Sequence, residues 1–499
     1  MLHVKEFKQK GPPCRWLMCE AITSAARRLA MAHGTHGRVS RNIGQVVDTI
    51  NEAPDLPFSN VMDAEQIRQI IDDLDISFRE RVFTPFVTLM VFLSQVLSPD
   101  HSCRDAVAKL IAFRVANGQE PCSPDTSSYC TGRGRLPEEL FRRLVCQTGR
   151  QLHEQCPQDW LWKGRTVKIA DGTTLTMPDT PDNQQVYPQP QTQKPGLGFP
   201  IARLVVLFSL GSGAALDLAI GPYKGKQTGE TALLRSLFDR SLIAGDVLVG
   251  DRCYGSYCDV ALIRQRGADI VVRRHQLRTT DFRQGRRLGK NDHLIIWDKP
   301  TKRPEWMDKE AFENLPDQLT LREVKVQIRQ KGMRTKSLVV VTTILDPKQF
   351  TKNDIAELYH ARWNVELDLR SLKCTMQMEP LRCKTPEMIR KEIWAHLLAY
   401  NMIRTIMAQA AHQYELRPRQ LSFKGAMQTI NAFRGYHGTD LPDSPDWHAA
   451  LLEAVAYHRV ADRPNRVEPR AVKRRPKPHR LLTEPRDCAR KQLCESTYA

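Results

Sequence analysis

Between Arg165 and Arg274 the chain changes its hydrophobic period several times, and this succession restricts the possible folds more than any other feature. Three apolar runs come first: TVKIADGTTLTM, IARLVVLFSL and AALDLAIGPY. They are rich in β-branched residues and alternate with period two, as half-buried strands do. Gly211 and Gly213 separate the second run from the third, which suits consecutive antiparallel strands. The segment GETALLRSLFDRSLIA then places Leu233, Leu234, Leu237 and Phe238 on one face of an amphipathic helix. A buried strand, DVLVGD, leads through RCYGSY into a second helix, CDVALIRQRG, and a last strand, ADIVVRR.

The order β-β-β-α-β-α-β predicts an α/β, ribonuclease H-like domain, in which three antiparallel strands are followed by strands added in parallel through helical crossovers. Carboxylates at the ends of adjacent strands meet in such a sheet. Residues 275 to 350 interrupt the pattern with the strand-like runs HLIIW, TLREVKVQI and SLVVVTTIL, read as an inserted β-rich subdomain of a catalytic domain spanning 156–385. Residues 1–155 read as an N-terminal helical domain that binds DNA, with helix-period segments from Ala21 to Ala32, Ala64 to Leu74 and Pro85 to Leu97, and a helix through Arg114 capped by Ser102 or Asp105. The Gly/Pro/Ser-rich stretch 117–135 reads as a loop whose Arg133 and Arg135 are either DNA contacts or, the favoured reading, solvated charges. C-terminal helices are expected over 386–460, the segment that would serve as a dimerisation region if two copies associate, and 461–499 reads as a basic, Pro-rich, flexible tail.

Lys and Arg number 74 against 56 Asp and Glu, a net charge of +18 in 499 residues. A polyanion is the natural partner for that excess, and nucleic acid leads over an anionic membrane surface. The longest apolar run, Phe83 to Leu97, contains Thr84, Pro85, Thr88, Ser94 and Gln95 and is too short to span a bilayer. The first residues lack the apolar stretch of a secretion signal, so a cytoplasmic location is expected. Thirteen cysteines without a C-x2-C pair suit reduced thiols and argue against a zinc ribbon. No H-E-x-x-H is present, which disfavours a zinc hydrolase.

Three acids stand out. Asp171 lies within the first strand, Asp251 directly follows the fourth, and Glu366 lies in the helical stretch YHARWNVELDLRSLK. A carboxylate that interrupts a buried strand is costly unless it is paired or binds a cation. Each aspartate alone also reads as a turn residue, Asp171 and Gly172 forming a common hairpin dipeptide. In a continuous helix Tyr359, Arg362, Glu366 and Lys373 share a stripe about 60° wide, bordering the apolar face of Leu358, Val365, Leu369 and Leu372. An isolated Arg362–Glu366 pair on a solvated helix would leave Tyr359 and Lys373 unexplained.

The spacing Y-x2-R-x3-E-x6-K, with one Asp in a strand and a second in a G-D-R-x-Y-G turn, resembles the cut-and-paste DDE transposases of insertion-sequence family four. The resemblance extends through FTPFVTLMVFLSQVLSPDHSCRDAV, DGTTLTMPDTPDNQQVYPQPQTQKPGLGFP, the GKQTGE turn and RVEPRAVKRRPKP, over residues 80 to 480. It implies that Asp171, Asp251 and Glu366 are the catalytic acids and hold two Mg²⁺ ions, for which Mn²⁺ may substitute. It also implies hairpin-forming excision, joining to target DNA, a homodimer that synapses two terminal inverted repeats, and residence at a bacterial nucleoid. Tyr359, Arg362 and Lys373 would contact phosphates near the cut. Trp363 reads mainly as core, with DNA contact as the other reading. Trp297 or Trp306 would stack a flipped base. Arg252, the turn lysines Lys224 and Lys226, and Arg273, Arg274, Arg278, Arg283, Arg286 and Arg287 form a DNA track, and the basic tail from Arg470 to Arg480 is either a DNA anchor or a solubilising segment. Two other readings remain at this point: a ribonuclease H-like nuclease without strand transfer, and a catalytically silent DNA-binding protein.

Overall fold

A computed structural model describes residues 64–78, 81–116, 118–327, 337–434, 445–460 and 481–497. Its centre is a nine-stranded mixed sheet. The strands are β1 (Val167–Thr176), β2 (Ile201–Ser209), β3 (Ala215–Pro222), β4 (Val247–Gly250), β5 (Asp269–Arg273), β6 (Arg286–Gly289), β7 (Asp292–Asp298), β8 (Gln318–Gln327) and β9 (Ser337–Thr342). They lie in the order β3-β2-β1-β4-β5-β9-β8-β7-β6. β1, β2 and β3 pair antiparallel, and β4 and β5 join in parallel. The helical segments Glu230–Arg235 and Phe238–Ser241 make the crossover from β3 to β4, and Tyr257–Gln265 makes that from β4 to β5. The single helix read from GETALLRSLFDRSLIA is thus two short ones.

Helices cover both faces. On one side Leu233, Leu234, Leu237, Phe238, Val260 and Ile263 pack on Ala170, Val205, Leu248 and Ile270 of the strands. On the other, the long helix Pro386–Gln413 lies against the sheet with the helix Glu138–Glu154. Asn401 fixes this layer: its Oδ1 accepts the Ala215 backbone N–H at 2.8 Å, and its Nδ2 donates to the Ala215 carbonyl at 2.9 Å. Gly149 lets the second helix approach, since a Cβ there would fall 2.1 Å from the Ala215 carbonyl oxygen.

The structure corrects four expectations. The insertion is not a separate subdomain: β9 pairs with β5, with Val272 opposite Val341, so β6 to β9 prolong the central sheet. Residues expected as loop contain the helix Ser127–Arg135. Arg133 is buried there, donating to Gln95 at 3.1 Å with its guanidinium over Phe92 and Tyr129, so it is not solvated. Packing of that side chain outweighs the poor helix propensity of a Gly- and Ser-containing segment. The stretch from Lys352 is not one helix: Lys352–Ala361 ends at Arg362, Trp363–Arg370 follows, and Ser371–Thr375 winds as a π-helical turn. The tail also contains a helix, Arg486–Thr497. The C-terminal helices are Pro386–Gln413, Phe423–Arg434 and Pro445–Tyr457. The expected helix from Ala21 to Ala32 and the basic run Arg470 to Arg480 lie outside the described residues. Among the described residues no helix is long and apolar enough to cross a membrane.

Candidate active site

Parallel pairing between β1 and β4 stops at Ile169 opposite Val249, and Asp171 and Asp251 each lie two residues beyond that last pair, at the carboxyl end of the strand pair. Asp171 is no hairpin residue. It lies mid-strand opposite Val206 of β2, because β1 stays paired with β2 for seven residues past Ile169. Its Oδ1 accepts the Gly172 backbone N–H at 2.9 Å, and its Oδ2 is 3.7 Å from the Arg362 guanidinium. Burial pushes its carboxyl up to about 6, with neighbouring Glu230 and Glu366 adding to the rise and Arg362 opposing it. Asp251 caps the single turn Arg252–Tyr254 that follows β4, accepting the Arg252 N–H at 2.7 Å.

Glu366 reaches the same place from the third element. The capping box of Thr351 and Asp354 starts the helix Lys352–Ala361. Buried Ile355, Leu358 and Val365 hold its continuation against the core. Arg362 stands at the joint between the two helices and donates to Glu366 at 2.8 Å. One guanidinium therefore bridges Asp171 and Glu366. Tyr359 is buried, and that burial pushes its phenol up to about 12, with Arg362, Asp251 and Arg273 as the charged neighbours. Lys373 donates to Thr173 Oγ1 at 3.2 Å and the Thr174 carbonyl at 2.9 Å and pairs with Glu379 at 2.8 Å, tying the π-helical turn to β1.

The other expected DNA contacts fall in different places. Trp363 is 49% exposed, so it is not core. Arg252 is exposed and donates to Gln276 at 3.1 Å. With Arg273 and Arg274 it lines a cleft of about 380 Å³. Lys224 and Lys226 are exposed on the turn after β3. Trp297 is corrected: it is buried in β7 with the Arg278 guanidinium 3.5 Å from its ring centroid, and offers no open face for a base. Its alternation with outward-facing Ile296 carries it into the core. Trp306 is covered on one face by Arg235 at 3.7 Å.

Two residues were missed by sequence reasoning. Glu230 lies in the GKQTGE turn quoted above, and its carboxyl carbon is 2.4 Å from where a Cβ on Gly172 would stand. Asp368 is fully buried and accepts from Arg404 at 2.6 Å and from Arg419 at 2.7 Å, fixing the Glu366 helix to the C-terminal layer. An acid bordering the apolar stripe was the available signal for Asp368, and an acid opening a helix after a glycine turn the signal for Glu230.

Carboxylate oxygens suit a hard divalent cation such as Mg²⁺ or Mn²⁺, and Asp171, Asp251 and Glu366 supply only such donors. Among the described residues no three His, Cys, Asp or Glu side chains stand close enough together to hold an ion as placed. Arg362 is the group between two of them. The donor chemistry therefore fits the ion, with Arg362 as the charge that balances Asp171 and Glu366 in this structure.

Comparison with known proteins points the same way. Residues 162–402, which contain all three acids, match the transposase DDE domain family. The chain is 29% identical over 369 residues to the transposase InsG for insertion sequence element IS4 of Escherichia coli (strain K12), covering 70% of this chain and 77% of that protein. It is 29% identical over 80 residues to the transposase for insertion sequence element IS421 of Escherichia coli, covering 16% of this chain and 22% of the relative. A solved structure, the cryo-EM synaptic complex of piggyBac transposase with hairpin DNA, aligns with 84% of this chain and 86% of that one at 11% identity and a TM-score of 0.40. That likeness is too distant to bear on the argument. The family match and the long relative together mark the chain as an enzyme that carries a transposase DDE domain over residues 162–402 and is similar along 70% of its length to an insertion-sequence transposase.

Proposed function

We propose that this transposase binds the terminal inverted repeats of its own insertion sequence, excises the element through hairpin ends and joins it to target DNA. The observation that carries the reading is the meeting of Asp171 and Glu366 across Arg362, with Asp251 at the end of the neighbouring strand β4. On this reading the five strands β1 to β5 and their crossovers are a ribonuclease H-like core. Asp171, Asp251 and Glu366 are then the catalytic acids. They would hold two Mg²⁺ or Mn²⁺ ions, which when bound lower the pKa of a water or 3′-hydroxyl nucleophile and neutralise charge at the phosphorus.

The chain's own side chains divide the remaining work. Arg362 leaves its carboxylates for a scissile-strand phosphate, which its planar fork grips in two directions. Tyr359 donates one hydrogen bond, and Lys373 supplies a point charge anchored on β1. Exposed Trp363 offers an aromatic face to an unstacked base or end. Exposed Arg252, Lys224 and Lys226 hold the duplex backbone, an attraction that weakens with salt. The helical residues before 156 serve repeat binding, and 386–460 serves a homodimer that brings two ends together.

The test uses a labelled duplex carrying the sequences that flank the gene, incubated in Mg²⁺ with the wild type or Glu366→Gln. Hairpin ends and joined products from the wild type alone are expected. Nicked DNA without hairpins or joints would point to a nuclease, and bound but intact DNA would remove the catalytic assignment.

A further inference from the structure

Gly172 is the only residue of β1 whose missing side chain is replaced by a carboxylate. Along this strand successive residues face opposite sides. Lys168 and Ala170 face the crossover helices, Lys168 reaching Asp246 at 2.7 Å and Ala170 packing in the core with Leu233 and Leu234. Gly172 continues that row, and Asp171 faces Arg362 on the other side. A Cβ on Gly172 would stand 2.4 Å from the carboxyl carbon of Glu230 and 2.8 Å from its Oε1. Glu230 thus fills the notch left by the glycine, at a level where the β4 edge of β1 is no longer paired although the β2 edge still is.

Three further observations set Glu230 apart from an ordinary acid at a helix start. It is half-buried, yet no cation of the described residues pairs with it, and its carboxylate accepts no hydrogen bond among them. Asp171, Cys253 and Tyr254 all feel its negative charge, and the last two also feel Asp171 and Asp251. Arg362, the charge that balances Asp171 and Glu366, lies on the opposite side and leaves Glu230 uncompensated.

We propose that Glu230 is a fourth carboxylate of the cation centre, seated in the notch of Gly172 and facing the ions from the crossover side of the sheet. This rests on the assignment of Asp171, Asp251 and Glu366 as the cation-binding acids. Gly172 is then a positioning residue, because an alanine there displaces the Glu230 carboxylate while leaving every acid in the chain.

The experiment is a titration of the full-length protein with Mn²⁺ alone, reading free Mn²⁺ by electron paramagnetic resonance, with far-UV circular dichroism to verify folding. Glu230→Gln is expected to weaken Mn²⁺ binding about tenfold or more, and Gly172→Ala to do the same. The double variant is expected to bind no worse than either single one, since both remove the same carboxylate from the same place. Asp251→Asn serves as the reference for the centre itself. Wild-type affinity in Glu230→Gln together with a loss in Asp251→Asn overturns the role of Glu230 alone. Wild-type affinity in both variants overturns the centre and the inference together.

Discussion

Asp368→Asn tests how the fold holds the third acid in place. Asp368 is on the same short helix as Glu366, two residues further on, and has no exposed side-chain surface. It is the only carboxylate shared by Arg404, 5% exposed, and Arg419, 17% exposed, among the described residues. Removing one partner of a buried ion pair costs about 3–5 kcal/mol, because the remaining charge stays desolvated and unpaired. Here two guanidinium groups lose their shared counter-charge at once and keep only a neutral amide oxygen, so a cost within that range is expected. Arg404 retains the Tyr400 hydroxyl, a weak contact to Met407 and the rings of Tyr400 and Phe423, none of them charged, and Arg419 retains two backbone carbonyls. An opening free energy lowered by about 3–5 kcal/mol raises local opening by roughly two to nearly four orders of magnitude. Native-state hydrogen exchange of the amides in Trp363–Arg370 should speed up by that factor, and DNA cleavage should fall because Glu366 is no longer held in register. Exchange in this helix within threefold of the wild type would refute the anchoring role.

Three further outcomes follow from the same geometry. Asp171 binds its proton more tightly folded than unfolded, so its contribution to metal-free stability is present below pH 4 and lost as the pH rises through about 6. Asp171→Asn should therefore stabilise the metal-free protein above pH 6, by up to about 3 kcal/mol, with the gain vanishing below pH 4 in urea titrations. His153 is the opposite case: burial depresses its folded pKa to about 4, so stability is present above about 6.5 and lost as the pH falls toward 4. His153→Gln should flatten that slope, as measured by urea midpoints between pH 7 and 4. Gly149→Ala should destabilise by about 1–3 kcal/mol despite the better helix propensity, because the new methyl meets the Ala215 carbonyl; an unchanged urea midpoint would contradict the close packing.

The succession of strands and crossover helices, and the presence of acids at the ends of apolar runs, were readable because each rests on a local signal. Period-two runs mark β1 to β3 and short continuous apolar runs mark β4 and β5, and a carboxylate at the end of an apolar run is conspicuous whatever surrounds it. Arg362 and Glu366 were legible as an i, i+4 pair, although the helix turns at Arg362 and the even stripe drawn through Lys373 does not survive the π-helical turn. Contacts distant in sequence were not legible. Nothing in HLIIW or SLVVVTTIL states that β9 pairs with β5 rather than closing a subdomain of its own. Trp297 looked available because a tryptophan in a basic segment carries no mark of which strand face it occupies. The loop reading of 127–135 failed because Arg133 is held by Gln95, 38 residues away. Glu230 escaped notice since its significance depends on the absent side chain of Gly172, 58 residues earlier, and Asp368 because its two arginines arrive from the C-terminal layer.

The central claim is that one cation centre lies between Asp171, Asp251 and Glu366. It can be tested most directly by loading the protein with Fe²⁺ in place of Mg²⁺ and adding ascorbate and peroxide, so that radicals formed at the ion cut the polypeptide beside it. The account predicts backbone cleavage near residues 171, 251 and 366, suppressed by excess Mg²⁺ and absent in Asp251→Asn. Cuts elsewhere in the chain, or cuts near these residues that persist in Asp251→Asn, would contradict it.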